Sequence, residues 1–223
     1  MPGALAPRGE GFRPLIAKVT RDLGMAPDDR ALSSIVIWLD LLARWNAKID
    51  LTAARSAEEL VDLMLADAVV LARHESPGAA VADVGSGAGG PGLALGLLRP
   101  DIAVTLIEPL AKRVAFLRTV LGHFGPAPSQ ANPLRVVRAK GEELVARGEI
   151  FDSAVARATL PPPAWLELGG RMVKPGGAVW ILLAREPEPA ANDWKIETEE
   201  RYTWPLTGAP RRALRYRRAQ AAE

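Results

Sequence analysis

Residues 81–92 read Val-Ala-Asp-Val-Gly-Ser-Gly-Ala-Gly-Gly-Pro-Gly, an apolar run with an acid near its end, followed by a glycine-rich turn. Such a turn between a strand and a helix lets the backbone bend sharply and presents the free N–H groups of the helix start to a ligand. Gly85 and Gly87 are the positions at which this turn most needs the absence of a side chain. The stretch predicts a strand, a ligand-binding turn and a helix in succession.

A second acid narrows the class of ligand. Glu108 ends the next apolar run, where a carboxylate can accept hydrogen bonds from both hydroxyls of a ribose. A glycine-rich turn alone fits NAD, FAD or S-adenosylmethionine. The spacing Gly85-x-Gly87-x-Gly89, with Asp83 before the first glycine, favours S-adenosylmethionine over a dinucleotide. Glycines that served only a tight turn would leave Glu108 unexplained.

The sequence after residue 79 alternates short apolar runs with helical segments, a pattern typical of a parallel sheet with crossover helices. The predicted strands are Ala80–Val84, Val104–Glu108, Arg135–Arg138, Ser153–Ala156 and Val179–Leu183. The predicted helices are Gly92–Leu98, Leu110–Leu121, Glu142–Ala146 and Pro163–Val173. The tail Trp194–Arg218 predicts an antiparallel hairpin on the edge of the sheet.

The first third of the chain has apolar residues at helical spacing. A helix is predicted around Leu15–Leu23, a second after a cap at Asp28 or Asp29, and a third between the capping residue Ser56 and the stop at Pro77-Gly78. We expect residues 1–78 to form a helical cap and residues 79–223 a Rossmann-like core, packed as one unit. Residues 125–133 and 187–192 are expected to be loops.

Composition excludes several classes of protein. The 223 residues contain no cysteine, which excludes disulfide scaffolds, thiolate zinc sites, iron–sulfur clusters and cysteine nucleophiles. No run of 18 apolar residues is present and residues 1–10 lack a secretion signal, so the cytoplasm is the expected compartment. The net charge is only +2, so overall charge does not drive strong nucleic-acid binding.

Several motifs together resemble one known family. Asp83–Gly92, Leu106-Ile-Glu108 and Lys112-Arg113-Val-Ala-Phe-Leu117 resemble the RsmG (GidB) family, the bacterial 16S ribosomal RNA guanine-N7 methyltransferases. Further agreement comes from Trp45-Asn46, Leu51-Thr52, Glu142-Glu143 and Ser153–Ala158, so that the resemblance spans residues 32–184. It implies a class I S-adenosylmethionine-dependent methyltransferase fold, with a mostly parallel sheet and helices on both of its faces.

The resemblance also implies roles for individual residues. Gly85, Gly87 and Gly90 would line the methionine and sulfonium, Glu108 would hold the ribose, Gly141 and Glu142 would border the adenine, and Arg157 would face the cofactor and the reaction centre. No catalytic base is implied, because guanine N7 carries a lone pair in the neutral base. No metal is expected, since no His/Asp/Glu cluster has the spacing of metal ligands.

Four positions depart from the family pattern near the expected pocket. Gly90 replaces a bulky apolar residue, Met64 and Ala68 replace a histidine and a serine, and Arg185 replaces a lysine. The acceptor therefore stays open at this point. A methyltransferase acting on a small molecule or a protein, a silent S-adenosylmethionine-binding protein and a nicotinamide oxidoreductase are the alternatives.

The expected partner is 16S ribosomal RNA or the small ribosomal subunit, bound by a monomer. The candidate RNA contacts are Lys112, Arg113 and Arg118 on one helix and Arg211, Arg212, Arg215, Arg217 and Arg218 in the tail. His74 and His123 lie near predicted helix ends, where capping or exposed roles are expected. Trp38 and Trp45 are seven residues apart on one helical face and are interpreted as packing residues.

Overall fold

A seven-stranded sheet forms the centre of the computed structural model, which describes residues 5–124, 134–190 and 193–218. Its strands are β1 (Ala80–Val84), β2 (Ala103–Ile107), β3 (Leu134–Val137), β4 (Phe151–Ala156), β5 (Val173–Leu183), β6 (Trp194–Thr203) and β7 (Pro210–Arg218). They lie in the order β3-β2-β1-β4-β5-β7-β6, and β7 runs opposite to the other six strands. The strand order reverses between β1 and β4, and open α/β sheets bind ligands at the carboxyl ends of the strands at such a point.

The described helices follow the predicted order. They are a short 3-10 helix (Gly9–Phe12), α1 (Arg13–Asp22), α2 (Asp29–Ile49), α3 (Ala57–Ala72), α4 (Gly92–Leu98), α5 (Ala111–His123), α6 (Gly141–Ala146) and α7 (Pro162–Gly170). Both predicted caps form: the Asp28 carboxylate accepts from Ala31 N at 2.7 Å, and Ser56 Oγ accepts from Glu59 N at 3.1 Å. Each cap satisfies a backbone donor that the first helical turn leaves free.

The boundary between α7 and β5 differs from the prediction. The helix predicted as Pro163–Val173 ends at Gly170, and the strand predicted to begin at Val179 begins at Val173. Val173 already pairs with Phe151 of β4, and a register shift separates this pair from the regular ladder that begins at Ser153 and Ala178. Met172 and Val173 continue the apolar pattern of the helix, and Pro175, Gly176 and Gly177 are typical of a loop, so the sequence hid the start of the strand.

Helices cover both faces of the sheet, as the fold class predicts. One buried cluster joins residues of α1 to α5 to one face of the sheet, where Val81, Leu106 and Trp180 lie. A second cluster on the other face joins α6 and α7 to residues such as Val179 and Leu214. The N-terminal helices therefore share buried residues with the sheet. A division of the chain at residue 78 stays a prediction.

The predicted C-terminal hairpin is present, formed by β6 and β7. Asp62, a buried residue of α3, binds the turn of this hairpin. Its carboxylate accepts hydrogen bonds from Leu206 N at 3.1 Å, from Thr207 N at 2.8 Å and from the Thr207 hydroxyl at 2.8 Å. Burial raises the pKa of Asp62. Of the predicted loops, residues 125–133, 191 and 192 lie outside the described residues.

Candidate functional site

A cavity of about 550 Å³ opens at the carboxyl ends of β1, β2 and β4. Five of the predicted site residues line it together. They are Gly85, Gly87, Gly90, Glu108 and Arg157. Further lining comes from residues 51–53 before α3, from Leu63 and Met64 on α3, from residues 109, 110 and 113, and from residues 158 and 159 after β4. The topological switch point and the glycine-rich turn thus meet in one cavity.

The turn after β1 has a backbone that only glycine adopts readily. Gly85 and Gly87 have φ angles of 74° and 57°, in the left-handed region. A Cβ at Gly85 would lie 2.3 Å from the Thr159 hydroxyl oxygen. That hydroxyl donates to the Val84 carbonyl at 3.1 Å, so it is held in place beside the turn. Both conformation and space therefore exclude a side chain at position 85.

Glu108 connects the end of β2 to this turn. Its Oε2 accepts from Gly87 N at 2.9 Å and its Oε1 accepts from Leu110 N at 2.9 Å. The residue is 1% exposed, yet it lines the cavity. Each carboxylate oxygen has a second lone pair, so the group can accept further hydrogen bonds from ligand hydroxyls. The backbone bonds fix the orientation that such an acceptor needs.

Asp83 lies beneath the turn and is fully buried. Its Oδ2 accepts from Gly92 N at 3.1 Å, whereas its Oδ1 has no hydrogen-bond partner among the described residues. Burial raises the pKa of Asp83 to about 7, against the opposing effects of its hydrogen bonds and of the Arg157 charge. A buried acceptor without a partner is unusual, and the raised pKa fits a proton held on this carboxyl group.

Arg157, at the end of β4, bridges several elements around the cavity. Its Nη2 donates to the Gly90 carbonyl at 3.0 Å, and its Nη1 donates to the Leu63 carbonyl and to Asp67 Oδ2, the latter at 3.1 Å. Asp67 lies on α3 with a side chain 3% exposed. The guanidinium thus holds the glycine-rich turn against α3 and leaves a positive charge at the cavity wall.

Two predicted site residues do not line the cavity. Gly141 is buried at the start of α6, where a Cβ would meet Leu168 and Val84 at 3.1 Å. Glu142 is exposed beside it. Their contact with an adenine stays a prediction. Arg185 is also exposed and outside the cavity lining.

Sequence reasoning missed how some side chains support the cavity. Trp38 is buried as predicted, but its Nε1 also donates to the Ala88 carbonyl at 2.9 Å and so holds the glycine-rich turn from α2. Asn46 Oδ1 accepts from Leu51 N and Thr52 N at 2.7 and 2.9 Å, and both of those residues line the cavity. The Trp45-Asn46 and Leu51-Thr52 motifs were visible in the sequence, and the structure connects them.

No group of three or more His, Cys, Asp or Glu side chains among the described residues is placed to hold a metal ion. No helix in the described part of the chain is long and apolar enough to cross a membrane.

Comparison with known proteins decides the family. The family model described as rRNA small subunit methyltransferase G matches residues 31–212. The chain belongs to the GidB family. A relative from Anaeromyxobacter dehalogenans (strain 2CP-C), named Ribosomal RNA small subunit methyltransferase G, is 33% identical over 218 residues, covering 93% of this chain and 98% of the relative. A relative of the same name from Halorhodospira halophila is 38% identical over 72% of this chain and 73% of its own length. The predicted family is confirmed.

The GidB chain also shares its fold with a solved structure. The 1,6-didemethyltoxoflavin-N1-methyltransferase of Burkholderia thailandensis, solved with 1,6-didemethyltoxoflavin and S-adenosylhomocysteine bound, matches with a TM-score of 0.52 at 17% identity. The match covers 69% of this chain and 76% of that chain. At this level of identity the likeness concerns the fold alone, and it confirms the predicted class I methyltransferase architecture.

Gly90 and Met64, two positions at which the sequence analysis expects departures from the family pattern, are neighbours in space. A Cβ on Gly90 would lie 3.0 Å from Arg157 Nη2, 3.0 Å from Met64 Cα and 3.1 Å from the Met64 carbonyl oxygen. The backbone of α3 and the guanidinium therefore occupy the space that a side chain at position 90 would need. Gly90 therefore allows close packing of the turn against α3.

The arginines of the hairpin are less available to a partner than the sequence suggested. Arg212 pairs with Glu188 and Glu199 at 2.7 and 3.0 Å, and its side chain is 22% exposed. Arg215 and Arg217 both pair with Glu197. Arg211 stacks over the Trp204 ring at 3.8 Å. Antiparallel pairing brings the acids of β6 beside the arginines of β7, and neutralises much of this predicted basic patch.

Proposed function

We propose that this GidB-family protein transfers the methyl group of S-adenosylmethionine to N7 of a guanine in 16S ribosomal RNA. Family membership supports the reaction and the substrate class. The observation that carries the proposal is the cavity in which Glu108 and the turn of Gly85 and Gly87 meet at the switch point of the sheet. This cofactor requires a carboxylate that accepts hydrogen bonds from its ribose hydroxyls, and a turn whose backbone can approach it closely.

The residues present fit S-adenosylmethionine. Glu108 would accept from the ribose hydroxyls, the turn of Gly85, Gly87 and Gly90 would receive the methionine part, and the unpartnered Asp83 Oδ1 lies below that turn. Gly141 and Glu142 would border the adenine at the ends of the neighbouring strands. The cofactor supplies a methyl group activated by a positively charged sulfur. The protein supplies position.

No proton needs to be removed from the acceptor. Guanine N7 carries an in-plane lone pair in the neutral base, and no histidine is among the residues that line the cavity. Alignment of the acceptor with the methyl group is then the main contribution of the protein to the rate. N7 lies in the deep groove of paired RNA, which side chains cannot read, so the target guanine should be unpaired or splayed out.

The candidate RNA contacts are cations of α5 and of the hairpin. Within residues 5–124, 134–190 and 193–218, no ion pair involves Lys112, Arg113 or Arg118, and Arg113 lines the cavity. These cations on α5 are free to contact phosphates. Arg211 and Arg218 are the hairpin arginines without an ion pair in the same part of the chain. We therefore place the main RNA contact on α5 and a lesser one on the hairpin.

Methyl transfer tests the proposal. Purified protein would be incubated with labelled S-adenosylmethionine and with small ribosomal subunits, or free 16S RNA, that lack the modification. We expect label in the RNA, and preference for the particle or the free RNA would define the unit that is recognised. Cofactor binding without transfer to either substrate would contradict the proposal and favour another acceptor or a silent binding protein. Preferential binding of a nicotinamide dinucleotide would instead favour an oxidoreductase.

We further propose that the protein acts as a monomer in the cytoplasm, where small subunits are made, and that it needs no metal. Gel filtration with light scattering tests the first point. Activity after dialysis against a chelator tests the last.

A further inference from the structure

Two aromatic residues of the C-terminal hairpin reach the same carboxylate as Arg157. Asp67 Oδ1 accepts from the Tyr202 hydroxyl at 2.7 Å and from Trp204 Nε1 at 3.2 Å, while Oδ2 accepts from Arg157. Tyr202 and Trp204 line no part of the cavity, but Arg157 does. We propose that Tyr202 and Trp204 are positioning residues, which hold Asp67 against Arg157 and so fix the wall of the cofactor cavity.

The chemistry of the cluster supports this role. A buried carboxylate needs partners for both oxygens, and Asp67 obtains them from one cation and two neutral donors. The two aromatic donors occupy Oδ1, so Oδ2 is turned toward the guanidinium. Burial and the nearby Asp67 charge raise the pKa of Tyr202, so its hydroxyl stays a proton donor throughout the working pH range.

The path from the hairpin to the cavity is short. Arg157 Nη1 donates to Asp67 and to the Leu63 carbonyl, and its Nη2 donates to the Gly90 carbonyl. Gly90 belongs to the turn that is expected to receive the methionine part. Loss of a donor to Asp67 would leave the carboxylate and the guanidinium free to shift, and the turn would lose part of its support. The hairpin thus contributes to cofactor binding without touching the cofactor.

The test uses the full-length chain and one hydrogen bond at a time. Tyr202→Phe removes the hydroxyl bond to Asp67, and Trp204→Phe removes the indole bond while it keeps an aromatic ring. The matched control is Tyr216→Phe, because Tyr216 lies on the same hairpin and donates to the Pro189 carbonyl at 3.2 Å on the other face of the sheet. Affinity for S-adenosylmethionine and S-adenosylhomocysteine would be measured by calorimetry, and thermal midpoints would be recorded for all variants.

We expect Tyr202→Phe to raise the Kd for S-adenosylmethionine roughly tenfold, the scale of one hydrogen bond to a charged group, and Trp204→Phe to raise it about threefold. Tyr216→Phe should change the Kd for S-adenosylmethionine less than twofold, even if it lowers the thermal midpoint as much as Tyr202→Phe does. In an Arg157→Lys background, which lacks the fork that joins Asp67 to Gly90, Tyr202→Phe should have little further effect.

This inference rests on the proposed function, and the two fail differently. Absence of measurable binding of either molecule by the wild-type protein would contradict the proposed function. Wild-type binding with unchanged affinity in both Tyr202→Phe and Trp204→Phe would overturn the inference alone. The full Tyr202→Phe effect persisting in the Arg157→Lys background would overturn it as well, because the residue would then act by another route. Should Tyr202→Phe fail to fold, Trp204→Phe alone decides between these outcomes.

Discussion

The amide of Gly87 donates to Oε2 of Glu108 at 2.9 Å, and this bond joins the glycine-rich turn after β1 to the acid that ends β2. The other carboxylate oxygen accepts from Leu110 N, at the start of the segment that leads into α5. One side chain therefore fixes two loops on adjacent strands. Loops that the protein's own hydrogen bonds hold cost less to order when a ligand binds.

Glu108→Gln tests this arrangement with almost no change of shape. The amide replaces one acceptor by a donor, and that donor must face either Gly87 N or Leu110 N, which are donors themselves. We expect the Kd for S-adenosylmethionine to rise roughly 10- to 100-fold, the range for lost hydrogen bonds to a charged group. Calorimetry provides the measurement. Glu167→Gln, an exposed change on α7, is the control, and equal affinities in the two variants would refute the role of Glu108.

Gly90→Ala tests the close packing of the turn against α3. The added methyl group would meet Arg157 and the backbone of Met64 at about 3.0 Å, so we expect the free energy of unfolding to fall by about 1–3 kcal/mol, together with weaker cofactor binding. Urea unfolding and calorimetry measure the two effects. Gly122→Ala in α5 is the matched control, since no atom of the described residues lies within 4 Å of the position that a Cβ would take there, and the variant should be neutral or stabilising. A Gly90→Ala protein as stable and as tight-binding as Gly122→Ala would contradict the packing described.

Asp83 gives the protein a pH-dependent stability. Burial raises the pKa of Asp83 from 3.8 for the free side chain to about 7 in the folded protein. Between about pH 4 and pH 7 the folded state therefore holds a proton that the unfolded state has lost. Stability from this group is therefore present below about pH 4 and is lost as the pH rises toward 7. Over this range the loss amounts to at most about 4 kcal/mol.

Asp83→Asn isolates that contribution. The variant cannot titrate at this position, so the difference in unfolding free energy between wild type and Asp83→Asn should move in favour of the variant between pH 5 and pH 8. Urea unfolding without cofactor at four pH values across that range measures it. A difference that stays constant with pH would show that Asp83 is ionised in the folded protein throughout.

The cations of α5 should set the salt dependence of RNA binding. The double variant Lys112→Glu with Arg118→Glu removes two phosphate contacts in the proposed interface. We expect weaker RNA binding and a slope of log K against log salt that is shallower by about 1 to 2, with unchanged affinity for S-adenosylmethionine. Arg30→Glu with Arg171→Glu makes the same charge change at exposed positions outside the cavity lining. If this control pair weakened RNA binding as much, the contact would not be local to α5.

Local sequence signals predicted most of the fold. The caps at Asp28 and Ser56, the glycine-rich turn and the apolar runs of β1 to β4 depend on neighbours within a few residues. Both caps form as predicted, and the bounds of these strands lie within two residues of the prediction. The start of β5 was predicted wrongly, because it depends on the pairing of Val173 with Phe151 across a register shift.

The candidate site could be predicted only in part for the same reason. Glu108 and the glycines follow a motif, whereas Tyr202 is separated from Asp67 by 135 residues, and no local pattern connects them. The tight space at Gly90 and the pairing of Arg212 with Glu199 likewise depend on how distant elements pack. The local sequence pattern indicated which side chains can bind a ligand. Tertiary packing determines which of these side chains are already bound to other groups of the protein.

The most direct test of the central claim is the identity of the methylated atom. Small ribosomal subunits that lack the modification would be treated with the protein and labelled S-adenosylmethionine, and the 16S RNA would then be digested to nucleosides and analysed by mass spectrometry beside a sample treated with Glu108→Gln. We predict label in 7-methylguanosine, at one position of the RNA, and much less label with the variant. Label in any other nucleoside, or none with a wild-type protein that binds the cofactor, would contradict the proposed function.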